Sequence, residues 1–316
     1  MRASRTLHTA HGSHEAPLYL ALAEQLSAMP AYLSSTAPLV AVCALELGNP
    51  IVGLFLDGIL EGARAAGIRV NLMKATQEEA LTYTNPAQRP PLLSAPDLSA
   101  LIFIHRWPPA VMSDLSAGRP SVSLVHEPAH SNIGLVTMDN ASGVHLLMEH
   151  LHALGHRRIG YFGKNTELTW AKERYTAYME YLDERELVHD VRCAIPLSTL
   201  ALQTGQDRWD GALDQALTRS RSGYSAWICP AGRAAHRLRS HLLAHGLEVP
   251  RAVSVAVFDA IAAEDLDYTR LAIDHRHLGI LALRQVAERI ANPAIKASIT
   301  VVPSTLHAGH TSARKA

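Results

Sequence analysis

Residues 136–163 read VTMDNASGVHLLMEHLHALGHRRIGYFG, and this stretch decides the fold. It predicts a helix over about 142–154, stopped by Gly155, and then a strand over 158–162. The same alternation continues outward in both directions. Upstream, residues 39–45 are a continuous apolar run, as expected of a strand buried on both faces. Asn49 and Pro50 follow as an N-cap and a first helical residue. Ile51, Leu54, Phe55, Ile59 and Gly62 then recur at helical spacing until Gly67 closes the helix. Further strands are predicted at 68–73, 101–104 and 121–125. Downstream come a helix at 171–184, a strand at 226–229, a helix at 233–245 ended by Gly246, a strand at 254–258, a helix at 279–291 and a strand at 299–302. Strand and helix in repeated alternation mean parallel sheets with helices on both faces, an α/β chain whose ligands bind beyond the carboxyl ends of the strands. Residues 84–96, TNPAQRPPLLSAP, break the rhythm with four prolines and read as a shortened helix followed by an irregular loop.

The chain has 316 residues, the length of two domains rather than one. Hydrophobic residues make up 48% and charged residues 18%, enough apolar material for substantial cores and too much for a disordered chain. Lys plus Arg and Asp plus Glu both number 29, and a net charge of zero argues against a surface devoted to nucleic acid. The three cysteines, Cys43, Cys193 and Cys229, lie far apart, which argues against a disulfide framework or a zinc ribbon and points to a reducing compartment. No apolar run approaches the roughly 20 residues of a membrane span. The opening MRASRTLHTAHGSHEAP turns polar where a secretory signal turns apolar, so the expected location is the cytoplasm.

The 136–163 stretch closely resembles the effector-binding core of LacI/GalR-type transcriptional repressors, in which an Asp-Asn pair opens a helix ending in Leu-Gly-His-Arg-Arg-Ile. AKERYTAYMEYL (171–182) is similar to that family's Arg-x-x-Gly-Tyr helix, with Ala177 in the glycine's place. HGLEVPRAVSVAVFD (245–259) is similar to its Gly-x-x-Val-Pro, Val-Ser-Val and aromatic-Asp run. YTRLAIDHRHLG (268–279) and VVPSTL (301–306) follow in the family order, so the resemblance spans roughly 38–311. It implies a two-lobed core like a periplasmic sugar-binding protein, each lobe a parallel sheet flanked by helices. One lobe would hold 38–139 with 275–299, and the other 140–274 with 300–316. A sugar-like effector would sit in the cleft between them, and the protein would be a homodimer that needs no cofactor.

The resemblance also marks residues. Arg174 falls on the family's ligand-contacting arginine, whose rigid fork of donors suits vicinal hydroxyls or a carboxylate. The plainer reading is a surface arginine paired with Glu173 or Glu180. Asp259 matches the family's cleft aspartate at the end of a strand; its plainer reading is an N-cap. Trp170 stands where the family often has a small hydroxyl residue, and it either stacks on a sugar face or fills space. Glu46 and Asn49, after the first strand, and His126, where the family has an aspartate, complete the candidate effector contacts. Ala231 and Gly232 replace the family's Asn-Asp pair and remove two hydroxyl partners.

No catalytic or metal residue is expected. HEPAH (126–130) spells the zinc-protease pattern, but that chemistry needs both histidines on one helix, and Pro128 sits inside it. His145, Glu149, His152 and His156 recur at helical spacing and read as a solvated or hydrogen-bonded face. Hydrolase, nucleotidase and dinucleotide readings lack their motifs. Residues 1–37 are atypical. EAPLYLALAEQL (15–26) resembles the first helix of a GntR-type winged helix, without the two helices and wing that should follow. Arg2 and Arg5 are balanced by Glu15 and Glu24, too few cations to hold several phosphates. The expectation is a regulator whose DNA-binding headpiece is missing or degenerate, with DNA a partner only through a headpiece outside this chain. The alternative is a stand-alone small-molecule-binding protein.

Overall fold

The structure is a computed structural model that describes residues 37–45, 47, 50–128, 130–187, 192–204, 209–259 and 267–315. The described chain divides into two compact units. One holds the residues up to Leu124 with Pro128–Leu135 and His275–Ser298; the other holds Val125–Glu127, Val136–Asp274 and the residues from Ile299 onward.

The first sheet is built around β1 (Leu39–Ala44), which pairs in parallel with β2 (Arg69–Lys74) and β3 (Leu98–Ile104). Every residue of β1 is buried, which is why its sequence is apolar throughout instead of alternating. β4 (Ser121–Leu124) lies parallel to β3, followed in the sheet by β5 (Ile133–Met138). Helix α1 (Pro50–Ala66) begins at its proline and buries Val52, Phe55, Leu56, Ile59, Leu60 and Ala63 along one stripe. It lies so close to the later helix at His275–Ala291 that a Cβ on Gly58 would collide with the carbonyl of Arg276. The short α2 (Gln77–Thr82) opens with a capping box: Glu79 N–H donates to Thr76 Oγ1 at 3.1 Å, and Thr76 N–H donates to Glu79 Oε2 at 2.7 Å. The proline-rich stretch after it makes two 3₁₀ turns, at Pro86–Gln88 and Pro91–Ser94. Helix α3 (Pro109–Leu115) joins β3 to β4. Trp107 fills the core beneath it, its indole N–H donating to the carbonyls of Cys43 at 3.2 Å and Ile104 at 3.1 Å.

The second unit carries the other six-stranded sheet. Helix α4 (Asn140–Ala153) is capped by Asp139, whose carboxylate accepts from Ser142 N–H at 2.9 Å. It leads to β6 (Ile159–Lys164), α5 (Thr169–Glu184) and β7 (Ala194–Pro196). Helices α6 (Thr199–Thr204) and α7 (Asp210–Arg221) precede β8 (Ala226–Cys229), and α8 (Gly232–Ala244) precedes β9 (Ser254–Val257). β10 (Thr269–Ala272) is followed by α9 (His275–Ala291) of the first unit, then β11 (Ile299–Val302) and β12 (Thr305–His307). The two strand orders are β11-β5-β4-β3-β1-β2 and β12-β10-β9-β8-β6-β7. The expected parallel sheets are present, with one antiparallel pairing at an edge. Pro303 and Ser304 link β11 of the first sheet to β12, which runs antiparallel to β10 at the edge of the second. No helix among the described residues is long and apolar enough to cross a membrane.

Candidate functional site

In the second unit β6, β8 and β9 run parallel, so their carboxyl ends share one edge of the sheet. Each is shaped there for close approach. Gly163, near the end of β6, has φ +124°, and a Cβ on it would lie 2.8 Å from the Pro230 ring that follows β8. Asp259, two residues past β9, takes the left-handed conformation with φ 68°, which non-glycine residues adopt sparingly. The loop between β6 and α5 is pinned by Asn165. Its Oδ1 accepts from the N–H groups of Glu167 and Leu168, both at 3.0 Å, and its Nδ2 donates to the Leu197 carbonyl at 3.1 Å. This loop sets where α5 starts, and so where Arg174, in its second turn, emerges.

Arg174 is 3% exposed. The surface pairing with Glu173 or Glu180 is therefore excluded. Its Nε donates to Asn140 Oδ1 at 2.8 Å, one terminal nitrogen donates to the Pro230 carbonyl at 2.5 Å, and the other reaches Met138 Sδ at 3.1 Å. The guanidinium carbon lies 3.5 Å from the Phe258 ring centre and 4.7 Å from that of Trp170, both within cation–π range. Asn140 is itself fixed, its Nδ2 donating to Glu173 Oε2 at 2.6 Å. One side chain on α5 thus ties together the β5–α4 junction, the end of β8 and the end of β9. Burial pulls the Arg174 pKa down to about 10, while the charges of Asp259 and Glu173 work in the opposite direction. The group remains a cation at neutral pH.

Of the five guanidinium N–H donors three are engaged, which leaves two without an acceptor among the described residues. Tyr161 on β6 is fully buried, and its hydroxyl has no hydrogen-bond partner among the described residues. Burial pushes that hydroxyl well above the usual phenol range, so it stays protonated and able to donate. Its ring is wedged between Tyr175 and Tyr178 of α5, with ring centres 5.6 and 5.1 Å away.

The remaining candidates fall as follows. Trp170 is half-buried, on the first turn of α5 and against Arg174. Asp259 is half-buried and close enough to Arg174 for their charges to interact. His126 stands two residues past β4, half-buried, directly after Val125, which also has a positive φ of 69°. Glu46 and Asn49 lie outside the described residues. Ala231 occupies the N-cap position of α8 and offers no side-chain cap. The described residues of the zinc-protease pattern, His126, Glu127, Pro128 and His130, are not helical, in keeping with its proline. No group of three or more metal-ligating side chains converges among the described residues. The helical His stripe divides instead. His145 and His152 lie edge-on against the Tyr181 ring, and His156 is buried among serines. The sequence reading missed Met138, Asn140, Tyr161 and Phe258. Asn140 was in view only as half of the pair that opens α4, and Phe258 only as an aromatic before the aspartate.

A family profile for the periplasmic binding protein-like domain matches residues 148–312. Solved structures share the fold. A putative LacI transcriptional regulator from Bacillus cereus subsp. cytotoxis NVH 391-98 superposes with TM-score 0.74 at 16% identity, covering 89% of this chain and 100% of that one. A LacI family transcriptional regulator from Mycobacterium smegmatis gives TM-score 0.71 at 20% identity, covering 87% and 99%. A LacI family transcriptional regulator from Enterococcus faecium, with bound ribose, gives TM-score 0.70 at 18% identity, covering 88% and 100%. No curated protein matches the sequence. On the strength of the profile match, which spans just over half of its length, the chain belongs to the periplasmic binding protein-like domain family.

Proposed function

We propose that this chain is the effector-sensing core of a LacI/GalR-type transcriptional regulator, working in the cytoplasm as a homodimer and carrying out no catalysis. The effector is a polyhydroxylated, sugar-like molecule that meets the second unit at the carboxyl edge of β6, β8 and β9. The observation that carries this reading is Arg174: a buried, charged guanidinium, clamped by three acceptors and two aromatic rings, with two donors left over beside Asp259. Arg174 donates to ligand oxygens, Asp259 accepts from hydroxyls, and Trp170 offers a face for the apolar side of a sugar ring. Bound ribose in the Enterococcus faecium neighbour supports the same ligand class.

Calorimetry with ribose, glucose and cellobiose tests it. Each charge-assisted contact is worth about 1.5–3 kcal/mol, so Arg174→Ala or Asp259→Asn should weaken binding by about tenfold to a hundredfold. A ligand whose affinity neither variant alters would remove both residues from the site. The balanced charge of residues 1–37 favours a second reading, a binding protein that touches no DNA. A mobility-shift assay separates the two: a sequence-selective shift surviving about 150 mM salt excludes the second reading.

A further inference from the structure

Away from Arg174, the amino-terminal edge of the second unit's sheet is gathered by one imidazole. His156, between α4 and β6, is 3% exposed. Its Nδ1 lies 2.8 Å from Ser225 Oγ, just before β8. Its Nε2 lies 3.0 Å from Ser254 Oγ, at the start of β9, and 3.1 Å from the Ala313 carbonyl. A carbonyl can only accept, so Nε2 carries the proton and Nδ1 accepts from the Ser225 hydroxyl. The neutral ring thereby joins β6, β8 and β9 to residues 309–315. That last segment is stitched down along its length. Gly309 N–H donates to Thr269 Oγ1 at 3.0 Å, Val255 N–H to the Thr311 carbonyl at 2.7 Å, and Thr311 Oγ1 to the Val255 carbonyl at 2.6 Å. Ala313 N–H donates to Ser254 Oγ at 3.1 Å, and Lys315 N–H to the Leu154 carbonyl at 2.9 Å. Ser312 Oγ lies 2.6 Å from Thr269 Oγ1 and 2.9 Å from His150 Nε2, so a second imidazole, on α4, grips the same segment.

We propose that residues 309–315 form an acid-released strap, latched by His156 and His150, that opens as a unit while the rest of the second unit stays folded. The charged and titratable groups facing His156 are Lys315 on the strap, His150 on α4 and Arg157 on its own turn, and each opposes a further positive charge. The strap's own ionisable residues are His310, Arg314 and Lys315. Burial and then these neighbours hold the His156 pKa below its ordinary value, against the pull of the Ala313 carbonyl; burial lowers His150 in the same direction. The closed strap therefore holds neutral rings, and the open one exposes rings that take up protons below about pH 6.5. Opening becomes easier as pH falls. Each latch raises the opening constant at pH 5.5 by up to about tenfold over pH 7.5, and the two together by up to about a hundredfold.

Hydrogen exchange on the full chain, read by mass spectrometry at pH 7.5 and 5.5 and corrected for intrinsic rates, tests this. The peptide over 309–315 should lose protection by up to about a hundredfold, while peptides from β6 and β8 hold theirs. His150→Gln should cut the ratio, by at most about tenfold, to what His156 alone supplies. His156→Gln in that background should abolish it. Because a substitution at the buried His156 risks misfolding, the wild-type comparison and His150→Gln decide alone. Equal strap protection at both pH values, loss in step with β6 and β8, or an unchanged ratio in His150→Gln would each overturn the proposal.

Discussion

Truncating Asn140 to alanine removes the acceptor for Arg174 Nε and leaves the rest of the clamp in place. The bond is 2.8 Å long and buried, and its donor is charged. Hydrogen bonds of that kind contribute about 1.5–3 kcal/mol, and the truncation leaves the N–H orphaned at a buried position. Asn140→Ala should therefore destabilise the protein by about 2–3 kcal/mol. Glu173 supplies the scale for comparison. It is exposed, bonds to Asn140 Nδ2 and acts on Arg174 itself only through its charge, so Glu173→Ala should cost less than about 1 kcal/mol. The assay is urea unfolding of the wild type, Asn140→Ala, Arg174→Met and the double variant. With Arg174 replaced by an apolar residue of similar length, Asn140 has no guanidinium to hold. The cycle should give a coupling energy of about 1.5–3 kcal/mol. A coupling below about 0.5 kcal/mol would refute the reasoning, because Asn140 would then act on stability by some route other than Arg174.

Two further outcomes are expected. Gly163→Ala must place a Cβ at positive φ and against the Pro230 ring, so it should cost about 2–4 kcal/mol in denaturant midpoint experiments; a cost below about 1 kcal/mol would mean that the end of β6 relaxes freely. Burial holds the His105 pKa down to about 4, so the unfolded chain takes its proton first as pH falls; stability owed to neutral His105 is present above about pH 6.5 and lost between there and pH 4, at most about 3 kcal/mol. His105→Asn tolerates the left-handed φ of 77° and can still accept from Leu45 N–H, so the gap between its urea midpoint and that of the wild type should shift in its favour from pH 7.5 to pH 4.5; a constant gap would count against the argument.

Where the sequence was read well, one physical signal dominated. β1, β8 and β9 are short apolar runs buried on both faces, and such runs are legible without context. β7 and β10 were missed because three or four residues, one of them Pro196, make no pattern. β12 was missed because all three of its residues are exposed or half-buried and its only recorded partner, β10, lies more than 30 residues earlier. The site divides in the same way. Arg174 is singled out by its motif alone, and its burial is not readable, since nothing in AKERY says which face of α5 meets the sheet. Asn140, Tyr161 and Phe258 come from three separate segments that only the fold brings together around one guanidinium. The carbonyl of Pro230 is a backbone acceptor, which no residue identity announces.

The cysteines lead somewhere unconnected with stability. Cys43, Cys193 and Cys229 are all free and buried, and burial pushes the thiols of Cys43 and Cys229 far above the range where thiolates form. A maleimide or spin label added to the folded chain should pass all three by. A single cysteine introduced on the surface of each unit would then be the reactive pair, with no native thiol to delete first. Distances between two such labels, taken with and without a candidate sugar, would report directly whether a ligand moves one unit against the other.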